Sequence, residues 1–520
     1  MRGFNYTAMK WPCILFFLLL PLFAKAQEGF ISHYDFGHPG MVFTNLILTQ
    51  DTLVVSGIAI QDTFPYKQVM TLTKLDTNGN ILAHFQYQDS LGGNYSLGET
   101  PRGLLRCLDG SGYLLLGHVF ERSTGIAMKV DNDGNQVWLR EYTDSNSSQD
   151  FFRKIVEIND GYLISGMKQA LDNKLDLFVK KVDYNGAEIW ERSYGKGNAR
   201  DDIFDSMLIR DANEYVIGSS NQPYMVPWQQ FESRIKIFAI DSVGNIKWSW
   251  LGEPSLDEVW LDGLNINVEG NWIYATVRAE FEMDGFMKRQ PRVVVRDGNF
   301  NIVNAVDLDD MDANGNFILN MLPLENGDFL GLGKNNEKVP NPVLAEDHGY
   351  AWMVRMEYDG DTLWERKDLV FPDSIFATGQ YLHSAVELSS GSIIAAGYYD
   401  SSADPKNWGI LIKVDKDGCI DTLLCSGITP VEEVHPAVEV RVWPNPASSH
   451  VDFYFQNATG GQHRQLLITD LAGRPVQHFA LPEGETSLRW NAAEVPPGVY
   501  FYRYMENGVL LKAGKIVVGK

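Results

Sequence analysis

The chain is short of four things, and each shortage excludes a class of protein. Four cysteines in 520 residues are too few for a disulfide framework. Histidines number only ten, and the Pro-rich aromatic insertions at 221–231 and 334–350 hold no group of them spaced for zinc. Lys and Arg number 44 against 67 Asp and Glu, a formal charge of −23. Phosphate backbones are bound by clustered cations, so nucleic acid is not an expected partner. Long apolar runs are also missing. The longest, Trp11 to Phe23, covers about 13 residues, against the roughly 20 that a membrane-spanning helix requires. It follows Arg2 and Lys10 and precedes Ala24-Lys25-Ala26, so residues 1–26 read as a secretory signal cleaved after Ala26. No transmembrane segment is expected after it.

Export makes disulfides permissible. Cys13 lies in the signal, and Cys107 stands alone in a strand-like stretch, where a buried small apolar side chain is expected. Cys419 and Cys425, in DGCIDTLLCSG, are expected to form a local structural disulfide, since no His or further Cys nearby suggests a metal.

What is abundant is glycine (47 residues), aromatics (12%) and short β-branched runs, which predict an all-β protein. About 490 residues after the signal are too many for one ordinary core and call for a repeat. One is present. An apolar residue, Asp, two variable residues and Gly recur as KLDTNGN (Asp76), KVDNDGN (Asp131), KVDYNGA (Asp183), AIDSVGN (Asp241) and KVDKDGC (Asp415). Degenerate copies stand at Asp297 and Glu357, and the spacings run from 52 to 60 residues. A second motif, a turn followed by an apolar run ending in Gly, falls between these turns. Its copies end at Gly57, Gly117, Gly166, Gly218, Gly333 and Gly397, with a weak one around Tyr274. Both motifs count seven. Each unit reads as four short strands, and seven such units predict a seven-bladed β-propeller over residues 27–428. The seventh unit lacks its fourth strand, and Phe30 to Phe36 resembles one, so the N-terminal strand is expected to close the last blade and remove an open edge.

The Asp-x-x-Gly turn admits three readings. Structurally, Asp accepts from backbone N–H groups two or three residues on, and Gly or Asn then takes φ > 0; the Trp seven residues after the acid (Trp138, Trp190, Trp248, Trp364) then packs between blades. As a calcium loop, Asp131, Asp133 and Asn135 imitate the start, but position twelve is Tyr142 rather than a bidentate acid. As a catalytic cluster, identical turns around a ring do not converge on one substrate. The structural reading is preferred, no cofactor is expected, and calcium is the alternative. The motif resembles the tryptophan-docking repeats of quinoprotein-type propellers and, less closely, the Asp-box turns of sialidases; the resemblance implies a fold, not chemistry.

Ligand-binding candidates lie elsewhere. An acidic residue precedes the first strand of several blades: Glu99, Asp150, Asp202, and Asp257 or Glu258. If these strands line the channel, the carboxylates would ring one mouth. Pro-rich and aromatic insertions at 221–231 and 334–350 supply Tyr224, Trp228 and, just after the second, Trp352 as candidates for ligand stacking. No nucleophile stands beside a base, so no catalytic residue is expected.

After Gly427 the repeat stops. Residues 429–437 read as a linker, and 438–520 as a small Ig-like β-sandwich of about seven strands. Four ordered motifs occur in it: Trp443-Pro444-Asn445-Pro446, Asp470-x-x-Gly473-x-x-Val476, Pro497-Gly498-x-Tyr500 and Lys515-Ile516-Val517-Val518. Together they resemble the C-terminal sorting domain of the type IX secretion system of Bacteroidetes, with Trp443 where that family usually has Tyr or Phe. The resemblance implies passage through the periplasm and outer membrane with the secretion machinery as partner, then release or attachment at the cell surface. The propeller is expected to be a non-catalytic module binding an extracellular glycan or protein; the alternative is a polysaccharide-active hydrolase or lyase with its site on a propeller face.

Overall fold

A computed structural model of the chain describes residues 29–519, apart from segments 64–65, 97–102, 144–146, 171–174, 196–201, 212, 222–232, 282–286, 310–315, 338–347, 369–377, 402–406, 421–438, 457–463, 470–474, 483–484 and 507–508. The chain divides into two compact units between Ile428 and Thr429, and each is described by itself.

In the first unit seven antiparallel sheets follow one another, and they are the blades. Blade three shows the pattern: Ser147–Ile158, Gly161–Ala170, Leu175–Val182 and Glu188–Ser193 pair in sequence order. Blade seven is built from Thr378–Glu387, Ile393–Ser401 and Trp408–Val414, and its fourth strand is Phe30–Tyr34, which pairs antiparallel with Gly409 to Lys413. The ring is closed by the N-terminal strand.

The apolar runs that mark the second strands follow from this packing. A blade is buried on both faces, so its strands read as continuous apolar stretches rather than as alternating ones. In Tyr113–Val119, Tyr113 and Leu115 pack with Met70 and Leu72 of blade one, whereas Leu114 and Leu116 pack with Tyr162 and Ile164 of blade three. The same division gives a separate apolar core at each of the seven junctions. Cys107 is a free, buried thiol in the core between blades two and three.

The second unit is a β-sandwich. Glu439–Trp443, His450–Gln456 and Ser487–Asn491 form one sheet; Pro475–Leu481, Arg464–Thr469, Gly498–Glu506 and Val509–Val518 form the other. Val451, Phe453 and Phe455 of the first sheet meet Leu466, Ile468, Tyr502 and Tyr504 of the second in one core. No helix among the described residues is long and apolar enough to cross a membrane.

Candidate functional site

The repeated turn is a junction device. Asp131 Oδ1 accepts from the N–H groups of Asp133 (2.9 Å) and Asn135 (2.8 Å), and Oδ2 accepts from the Asn135 amide (3.0 Å). Those donors hold its carboxyl below the usual carboxylate range. Asp76, Asp183, Asp241, Asp297 and Asp415 accept from the same two backbone positions. Gly134, Gly186 and Gly244 follow at φ +81, +76 and +84, in the left-handed region that favours glycine. The previous blade docks onto this turn. The Tyr142 hydroxyl donates to the Gly186 carbonyl (2.8 Å), and a Cβ on Gly186 would meet the Trp138 ring at 2.9 Å. Tyr34, Tyr87 and Tyr194 donate likewise to Gly79, Gly134 and Gly244. Trp138 Nε1 donates to the Tyr184 carbonyl and Trp364 Nε1 to that of Lys416, each on the next blade's turn.

The channel has its own girdle. First strands of all seven blades line one central cavity of about 340 Å³. In six of them a β-bulge immediately precedes a lining residue: Asn45, Lys154, Ser206, Asn265, Asn320 and Ser384. A bulge re-aims the side chain beside it, and five of these reach the neighbouring blade. Asn45 Oδ1 accepts from Gly103 N–H (2.9 Å), while Ser206, Asn265, Asn320 and Ser384 donate to the carbonyls of Leu264, Met321, His383 and Leu46. Sequence reasoning missed these residues. Their signal is a polar residue twelve or thirteen positions before the Gly of the second motif, as in Asn45/Gly57, Ser206/Gly218 and Asn320/Gly333.

Among the described residues the lining of the central cavity includes neither Asp nor Glu. Asp150 is buried in the first strand of blade three. Asp202 opens the first strand of blade four. Asp257 lies before the first strand of blade five and pairs with Arg278 (3.0 Å) and Arg292 (3.9 Å). Glu99 lies outside the described residues, as do Tyr224 and Trp228. Trp352 is a correction: it is 0% exposed in the core between blades five and six, its Nε1 donating to Glu365 (2.9 Å), so it presents no stacking face. Cys419 is buried just after the last turn, and Cys425 lies outside the described residues.

Glu258, the neighbour of Asp257, lies differently. It is buried, ion-paired with Arg296, and accepts from the Tyr274 hydroxyl, whose phenol burial pushes well above its ordinary value.

In the second unit the Trp-Pro-Asn-Pro loop is tied to the last strand. Asn445 Nδ2 donates to the Lys515 carbonyl (2.8 Å) and its Oδ1 accepts from Val517 N–H (2.8 Å). Ala447 continues this pairing through bonds with Val517 and Gly519. Trp443 is left 66% exposed, and Lys515 is exposed. After Gly498, Tyr500 turns inward, its hydroxyl donating to the Pro496 carbonyl (2.7 Å) and its ring meeting Trp490 edge-on. Pro444 and Pro446 both follow cis peptide bonds. Asp470 and Gly473 lie outside the described residues.

These features define a seven-bladed β-propeller followed by a β-sandwich. Residues 441–519 match the secretion system C-terminal sorting domain, and the sandwich is thus a type IX sorting domain. No curated protein matches the chain. Similar solved structures include an oligogalacturonate lyase in complex with manganese, 11% identical over 75% of this chain and 97% of its own, with a TM-score of 0.40. Another is the oligogalacturonate lyase from Vibrio parahaemolyticus (10%, 75% and 98%, TM-score 0.39). A third is the α-L-arabinofuranosidase Arb93A from Fusarium graminearum (10%, 59% and 92%, TM-score 0.37). Likeness at this level says nothing of chemistry.

Proposed function

We propose that this protein is delivered to the cell surface or the medium by the type IX secretion machinery, and that its propeller is a non-catalytic module binding an extracellular glycan or protein. The observation that carries delivery is the sorting-domain match over 441–519. The apolar run at 11–23 supplies the signal for the first, inner-membrane step. Binding rather than catalysis is supported by how the polar groups are used. The turn carboxylates cap their own turns, and the channel amides and hydroxyls join neighbouring blades, so both are committed to the scaffold.

Deleting residues 438–520 is expected to leave a folded propeller in the periplasm, measured by fractionation and by protease shaving of intact cells; normal surface display of that truncation refutes the sorting role. Affinity electrophoresis against a polysaccharide panel is expected to show retardation without release of reducing ends or unsaturated sugars. Steady release of either product would make the propeller an enzyme instead.

A further inference from the structure

Blades five and six carry Leu308 and Asp368 in place of the clamping tyrosine, and at the junction of blades four and five its loss takes a particular form. Eleven residues after the turn acid stand Tyr87, Tyr142 and Tyr194 in blades one to three, but Gly252 in blade four. The backbone is unchanged there: Gly252 N–H donates to the Ile235 carbonyl (2.8 Å), as Tyr194 N–H donates to that of Leu177 (2.9 Å). Gly252 therefore occupies the tyrosine's place without its side chain. The receiving turn is altered too. Where blades one to four carry Gly at φ +76 to +84, blade five carries Phe300 at φ 64, a conformation costly for a side chain of that size. Its ring stacks on Trp250 at 4.7 Å, with 5° between the planes. Tyrosine and glycine have been exchanged for glycine and phenylalanine, and the junction has not closed over the change.

A cavity of about 350 Å³ remains there, near the lower end of small-molecule pockets. One wall is apolar, made by Ile235, Trp250 and Ile302; the other carries Ser255, Glu258 and Arg296. Glu258 and Arg296 form an ion pair, and Arg296 also donates through Nε to the Tyr274 hydroxyl (2.8 Å) and through Nη1 to the Phe300 carbonyl (2.8 Å). A guanidinium has five N–H donors and a carboxylate about four acceptor sites. Both groups keep capacity unused by these bonds, and as a pair they carry no net charge. Glu253, also on the lining, disfavours an anion.

We propose that this cavity binds one pyranose ring of a neutral glycan, an inference that rests on the binding-module reading above. A sugar ring presents C–H patches and vicinal hydroxyls together, matching one apolar wall and one donor–acceptor pair. An aromatic side chain of a partner protein would fill the first and leave the second unmatched.

The test uses the mature protein and the methyl pyranosides of glucose, galactose and mannose at millimolar concentration, observed by saturation-transfer NMR. At least one is expected to receive saturation. The Gly252→Tyr/Phe300→Gly double variant gives this junction the Tyr–Gly pair of the four clamped junctions and brings a bulky side chain against Trp250 on the apolar wall, and is expected to weaken that binding at least tenfold while unfolding no earlier than the parent. Ile302→Trp narrows the rim from an exposed position and is expected to weaken binding as well, a control should the double variant fail to fold. If the parent binds a glycoside and both variants bind it equally, this pocket is not the site although the binding-module reading stands. If the parent binds none of the three, or binds tyrosine amide in their place, the sugar assignment is overturned.

Discussion

Tyr142 condenses the argument at the level of single residues. In a calcium loop its position would hold the acid that completes the metal site; here the phenol crosses to the next blade and donates to Gly186. Tyr142→Phe is expected to lower the unfolding free energy by about 1 kcal/mol, the net worth of one hydrogen bond. Gly186→Ala forces φ +76 on a residue with a Cβ and drives that atom into the Trp138 ring. A cost of about 1–2 kcal/mol is expected from the backbone alone, and urea denaturation of both variants measures it. His383 adds a pH dependence. It is buried beside Tyr381 and Tyr398, neither ring nitrogen has a hydrogen-bond partner among the described residues, and burial pushes its pKa down to about 4. The unfolded chain takes up this proton near pH 6.5. Between the two values the unfolded state binds more protons, so stability falls as pH drops from about 6.5 through about 4, by at most about 3 kcal/mol. His84, also lowered to about 4, acts in the same direction. His383→Phe keeps His84 and is expected to flatten the slope; identical profiles for parent and variant would show that His383 does not titrate in this window.

At the level of elements, the strands were readable because each turn announces itself chemically. An Asp that must cap its own turn and a Gly that must adopt φ > 0 recur whatever the neighbours do, so counting them located the blades and exposed the missing outer strand of the seventh. Packing between blades left weaker traces. Trp352 follows a Pro-rich insertion and looked like part of it, yet it lies within the third strand of blade six, and only the direction of its pleat sends it into the core. The channel girdle was hidden because a β-bulge is not visible in composition. The substitutions at Gly252 and Phe300 acquire meaning only when the end of one blade's outer strand is known to touch the next blade's turn. The N-terminal strand offers a direct test at this level. Removing residues 29–36 leaves Trp408–Val414 as an open edge and strips Tyr34 from Gly79. The truncated propeller is expected to unfold at lower urea concentration and to self-associate in size-exclusion chromatography, whereas unchanged elution and stability would mean the clasp is dispensable.

At the level of the whole molecule, the first unit has its seven junction cores and the second its single core, and no sheet is shared between them. Residues 27–428 and 438–520, produced separately, are expected to reproduce the two unfolding transitions of the intact chain. A shift of several degrees in either would show that the units stabilise one another.

The clasp between Phe30–Tyr34 and Gly409–Lys413 also sets an order of events. Phe30–Tyr34 is made before the strands of blade one, yet its partner is made only after six blades have been specified. Because long-range pairings form late and slowly, that strand waits unpaired until Gly409–Lys413 is made, and only then does blade seven gain its fourth strand. A chain interrupted anywhere before residue 408 would keep its first strand unpaired, a mark by which quality-control proteases could tell unfinished molecules from finished ones.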